Sequence, residues 1–147
     1  MTERKPKNIF VEGPISAAFI AKEIQKHSTK TNIGAHEIFL GQVRADVIDE
    51  KIVAAIDYTT YTEMALEKMH KIREAIFEKY ELTCLHVYHS LGKVKAGEIS
   101  LFVFTSSKHR RAAIDACNAI VERIKNELPV WGKEIFEDKT YTWKINS

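Results

Sequence analysis

The sequence predicts an α+β domain: three helices packed on a mostly antiparallel sheet. Three observations carry this. Helical and β-rich stretches alternate in the order β-α-β-β-α-β-β-α-β-β, with no internal repeat and no low-complexity segment. At 147 residues the chain is long enough for one proper core. Its composition, 45% hydrophobic and 29% charged with few glycines and prolines, is that of a globular protein.

Residues 1–7 read as a loose tail, leaving 8–147 as a single domain. Ile9-Phe10-Val11 makes a short strand ended by Gly13, and Pro14 suits the first turn of a helix reaching about Lys26. Ile15, Phe19, Ile20 and Ile24 form its apolar stripe. A long strand over 33–44 follows, with a bulge or close backbone approach expected at Gly41. It should pair with a strand over 52–60 as an antiparallel hairpin across the charged turn 45–51.

Residues 61–80 carry Leu66, Met69, Ile72, Ile76 and Tyr80 at three- and four-residue steps, an amphipathic helix. Two β-rich runs, 83–89 and 99–105, are joined by the connector SLGKVKAGE with a turn at Gly97-Glu98. Ser106 or Ser107 is the expected N-cap of a third helix. Ala113, Ala116, Cys117, Ile120, Ile124 and Leu128 form its buried face, and Pro129 stops it. Short strands over 130–136 and 141–145 close the domain.

Several function classes fall away. No apolar run approaches the ~20 residues of a membrane span, and the charged N-terminus is no secretory signal. Cys84 and Cys117 read as small buried hydrophobes, which suits a reducing cytoplasm. The six histidines show no zinc spacing. A net charge of +2 is short of a nucleic-acid binder's footprint.

The polar residues that invite chemistry lie in two segments, 41–44 and 105–137. His109-Arg110-Arg111 opens a helix, where backbone N–H groups favour an anion and clustered cations are out of place without one. The pattern reads either as a phosphate or carboxylate site or as a solvated basic surface. Lys125 lies in the last turn of the same helix, where a lysine is commonplace. Arg44 ends a strand after a glycine, so its guanidinium can reach a ligand as a fork; a structural salt bridge is the competing explanation. His109 and Lys125 are 16 positions apart, about 24 Å along one helix. They serve separate sites unless a second copy brings its His109 end to Lys125, as a symmetric dimer would do twice.

Four motifs in register, GQVR (41–44), HSLGKVKAGE (89–98), SSKHR with a following alanine (106–112) and IKNELPVWGKE (124–134), resemble the large, catalytic subunit of molybdopterin synthase, over nearly the whole chain. The resemblance implies an α/β-hammerhead-like fold and a cytoplasmic homodimer. A small ubiquitin-like subunit would dock at each end, giving a heterotetramer. That partner ends in Gly-Gly carrying a C-terminal thiocarboxylate, from which sulfur passes twice to cyclic pyranopterin monophosphate to make the molybdopterin dithiolene. No metal or redox cofactor is implied. The family's essential lysine falls on Lys125, its Gly-x-Val-Arg arginine on Arg44 and its pocket phenylalanine on Phe39. The His-Arg pair that reaches the other subunit's site falls on His109 and Arg110.

The chain departs from the family at Trp131-Gly132-Lys133-Glu134, where a second catalytic lysine usually occupies the position of Gly132. Lys133, one residue along, would by default face the opposite side of a strand. A bulge at Gly132 is the expected route for swinging it into the pocket. Ser90 and the run Tyr58-Thr59-Thr60-Tyr61 also differ from the family's usual residues. Two other readings remain: a non-catalytic relative, and a dimeric module binding an anion or RNA through its basic cluster.

Overall fold

The computed structural model describes residues 7–144. Its elements are β1 (Phe10–Glu12), α1 (Ala17–Gln25), β2 (Ala35–Gln42), β3 (Val47–Ile48), β4 (Lys51–Thr60), α2 (Thr62–Lys79), β5 (Cys84–Lys95), β6 (Ile99–Ser107), α3 (Arg110–Glu127), β7 (Val130–Phe136) and β8 (Tyr141–Trp143). The sheet runs β2-β6-β5-β4-β7-β8, with β1 added to β5 and β3 to β4. Every pairing is antiparallel except β1 with β5. The expected α+β class and three helices are what forms.

Strand β6 explains the layering. Its run ISLFVFTSS is almost wholly buried, as a strand covered on both faces must be. Alternation sends Leu101 and Val103 into the larger core with Met69, Ile72 and Ile76 of α2 and Ala116, Ile120 and Ile124 of α3. Phe102 and Phe104 point the other way, onto Ile15 and Ile20 at α1. Each large side chain so buried contributes roughly 1.5–3 kcal/mol.

The helix boundaries follow local chemistry. Ser16 caps α1, its Oγ accepting from the Phe19 N–H at 3.1 Å. The helix therefore starts after the expected Pro14, and Ile15 instead bridges to Ile99. Helix α3 buries the expected Ala113, Ala116, Cys117, Ile120 and Ile124, and ends at Leu128 before Pro129. Its N-cap is His109, not a serine. Ser106 and Ser107 are held back as the last residues of β6, where pairing with β2 takes their backbone groups.

Three other expectations are corrected. The hairpin of 33–44 with 52–60 does not exist: β2 pairs with β6, setting Ile38 and Leu40 opposite Phe104 and Phe102. The charged turn does make a hairpin, but with the two-residue β3. Asp49 and Glu50 both take positive φ (50° and 66°), as a tight two-residue turn requires. The connector after His89 is mostly strand, because β5 continues to Lys95 and pairs there with β4. No bulge forms at Gly132, where the β4–β7 register is regular from Val130 to Ile135. The bulge at Gly41 is present, between Gly41 and Gln42.

Of the expected tail, residues 1–6 lie outside the described residues, as does Ile145 at the end of the last expected strand. Lys7 is described and places its Nζ 3.3 Å from Nδ1 of His86. Among the described residues no helix is long and apolar enough to cross a membrane.

Candidate active site

The ends of several elements converge on a cavity of about 240 Å³. The bulged end of β2 and the residues after it supply Phe39 and Arg44, and the last turn of α3 supplies Lys125. Glu134 comes from β7, and Lys144 from just beyond β8. A side pocket of about 40 Å³ also has Tyr58, Lys125 and Lys144 in its walls and adds His89 and Gly132. Glycine at 41 lets β2 lie close to β6: a Cβ there would stand 3.2 Å from Cβ of Leu101.

Cations dominate the electrostatics. Lys125 is exposed by area, yet enough protein surrounds its charged end that desolvation, aided by Lys144 and Arg44, holds its pKa below the usual lysine range. Arg44 donates to Asp46 at 3.2 Å in an exposed pair, which leaves the guanidinium easily redirected. His89 is buried and its Nδ1–H donates to the Ser90 carbonyl at 2.8 Å. Burial, outweighing that bond and helped by the Lys125 charge, pushes its pKa down to about 4, so the ring is neutral. Tyr58 donates to Ser100 Oγ at 3.1 Å, and its hydroxyl is pushed up, first by burial and then by the Glu134 carboxylate.

The structure thus brings Phe39, Arg44 and Lys125 together. His109 lines a separate cavity of about 320 Å³ with Glu81, Thr83 and Lys108, at the opposite end of α3. Arg110 begins the same helix. Lys133 faces away from the cavity, with its Nζ 4.8 Å from the centre of the Tyr141 ring. Period-two alternation puts Gly132 and Glu134 on the cavity side instead.

Lys144, Tyr58, His89 and Glu134 were missed by the sequence reading. Lys144 carried no sequence signal of its own: only the observed register, continued from Lys133↔Trp143, sets it opposite Gly132. Among the described residues one potential metal-ligand set exists elsewhere: His27, Cys84 and His86, whose ligand atoms lie within 4.8 Å of one another. These groups already bond one another and nearby lysines: His27 and His86 join through Nε2 atoms at 3.0 Å, and Lys30 reaches Cys84 Sγ at 3.1 Å.

Fold and cavity define an α+β protein whose cavity presents a desolvated amine, Lys125, beside further cations, Arg44 and Lys144. Within that class the chain belongs to the MoaE protein family, whose sequence model matches residues 12–127. The chain is 30% identical over 135 residues to the molybdopterin synthase catalytic subunit of Pyrococcus abyssi, covering 92% of this chain and 84% of that one. The Rattus norvegicus protein of the same name is 31% identical over 144 residues, 97% of this chain and 70% of its own length. Among solved structures, molybdopterin synthase from Staphylococcus aureus superposes with a TM-score of 0.82 at 29% identity, covering 97% of this chain and 99% of the other. A complex of subunits 1 and 2 of the molybdopterin-converting factor from Helicobacter pylori shares the fold, with a TM-score of 0.77 at 21% identity, covering 91% of this chain and 87% of that one.

Proposed function

We propose that this chain is the catalytic subunit of a molybdopterin synthase, a sulfurtransferase of molybdenum-cofactor biosynthesis. It takes sulfur from the C-terminal thiocarboxylate of a small ubiquitin-like subunit and transfers it to cyclic pyranopterin monophosphate, forming the dithiolene. The observation that carries this is Lys125, desolvated in a cavity shared with Arg44 and Phe39.

The thiocarboxylate sulfur forms a bond to a pterin side-chain carbon as a carbon–oxygen bond of that carbon breaks, the oxygen leaving with the phosphate or as water. The acyl carbon–sulfur bond then breaks as water or an amine takes the acyl group, and a second thiocarboxylate repeats the exchange at the neighbouring carbon. The acyl carbonyl oxygen gains negative charge as it is attacked, and an ammonium at Lys125 offsets it. In its neutral form, which the lowered pKa favours, the same amine accepts a proton or holds the acyl group briefly. The Arg44 fork suits the cyclic phosphate.

His109 and Arg110 serve the site of a second copy, because helix length keeps them about 24 Å from Lys125 in their own chain. The working unit is then a cytoplasmic homodimer within a heterotetramer, each large subunit being one domain. The test is reconstitution: the chain, a thiocarboxylated small subunit and the cyclic pterin are mixed, and molybdopterin is measured. Product formation that requires all three supports the reading; none at any ratio refutes it.

A further inference from the structure

We propose that Lys144 is the second catalytic ammonium of the Lys125 cavity, delivered from the strand beside the one that carries Gly132. This rests on the sulfur-transfer reading above and assigns one more residue to it.

The register makes the argument. In the β7–β8 hairpin Ile135, Glu134 and Lys133 face Tyr141, Thr142 and Trp143, so the next pair is Gly132 with Lys144. The pairing continues there, since the Lys144 N–H donates to the Gly132 carbonyl at 2.8 Å. Residues directly opposite in an antiparallel pair project from the same face. Lys144 therefore stands on the cavity side with Gly132, while Lys133 stands on the other.

Space makes the second argument. A Cβ on Gly132 would meet Cγ2 of Ile56 at 2.9 Å and Cβ of Lys144 at 3.7 Å. A side chain at 132 and the side chain of Lys144 thus start into the same volume, and glycine yields it to Lys144. Both cavities have Lys144 and Lys125 in their walls. The charge of Lys144 reaches Lys125, being one of the causes that depress the Lys125 pKa. Besides these two, the groups facing the space are Arg44 and Asp46 after β2, Tyr58 on β4, His89 on β5 and Glu134 on β7. A cation so placed stabilises the anionic acyl intermediate together with Lys125.

The experiment is the reconstituted sulfur transfer with wild type, Lys144→Ala and Lys144→Arg, each checked for an unchanged melting temperature and small-subunit binding. Lys144→Ala is expected to lose about 100-fold in kcat, and Lys144→Arg to recover most of it. A merely structural lysine would not move the pH profile. Here the limb reporting Lys125 shifts to higher pH in Lys144→Ala, because a neighbouring positive charge has gone, and stays in place in Lys144→Arg. If wild type turns over and Lys144→Ala keeps pace within twofold with an unmoved limb, the assignment of Lys144 is wrong and the sulfur-transfer reading stands. If wild type itself makes no molybdopterin, both fall.

Discussion

Lys125 and Lys144 line the same two cavities, one from the last turn of α3 and the other from just past β8, and the second charge helps hold the first amine below its ordinary pKa. Two ammonium groups facing one space repel unless an anion lies between them. The arrangement costs some stability in the empty protein and favours whatever negative charge enters.

Replacing Lys125 with Ala is therefore expected to cut sulfur transfer by at least about 1000-fold. The chain should still fold, because Lys125 is exposed by area and its truncation leaves no buried hole. Single-turnover assays beside thermal melts check this. An active, well-folded Lys125→Ala enzyme would remove the amine from the mechanism.

The proposed sharing of each site between two copies makes a separate prediction. Lys125→Ala and His109→Ala should each be inactive alone. Mixed after dissociation and reassociation, half the dimers are heterodimers, and each of these has one site with intact Lys125 and intact His109. About a quarter of wild-type activity should return. No recovery, with heterodimers demonstrated by mass spectrometry, would place His109 outside the site.

Much of this was legible in the sequence because the signals were local. The faces of α2 and α3 follow from apolar residues at helical spacing, and Pro129 marks the stop one residue after Leu128. The β-pairings were not legible, since any β-rich run can pair with any other. The partner of β2 is β6, where Ile38 and Leu40 lie opposite Phe104 and Phe102, 66 and 62 positions away, and Ile38 packs on that aromatic pair. The site divides the same way. Arg44 and Lys125 were visible through the motifs beside Gly41 and Pro129. Lys144 was not, because its importance depends on the register of one hairpin and on Gly132 having no side chain. Lys133 looked like the natural substitute only because it is adjacent in sequence, and strand alternation turns it onto Tyr141.

Gly34 tests how α3 is aimed. A Cβ there would stand 2.2 Å from the Lys108 carbonyl oxygen, a backbone atom that cannot swing aside. The same glycine donates its N–H to the Ser107 carbonyl at 3.0 Å, which ties the start of β2 to the turn before His109. Gly34→Ala should cost about 2–3 kcal/mol by urea denaturation. Because the turn must move, activity should fall more than that of an equally destabilised core variant such as Ile72→Val. Unchanged stability would mean the two backbones are not so closely apposed.

Acid should weaken the fold through histidines buried in the neutral state. His89, with its pKa held at about 4 chiefly by burial, takes a proton in the folded protein only well below the pH at which an unfolded histidine does, about 6.5. Between those values the unfolded chain binds the extra proton, so stability is full above about pH 6.5 and falls as the pH drops toward 4. At pH 5 the loss from His89 is about 2 kcal/mol. Half-buried His86, also held at about 4 by burial and by the Lys7 charge, adds to the loss in the same direction. Glu127, whose carboxyl is held down to about 2 by Arg123, contributes only below the ordinary glutamate range near pH 4.3. Urea denaturation between pH 7 and 5 therefore isolates the histidines. His89→Gln should lower stability at neutral pH and flatten the slope by about 2 kcal/mol across that interval, whereas an identical slope in both proteins would show that His89 titrates normally.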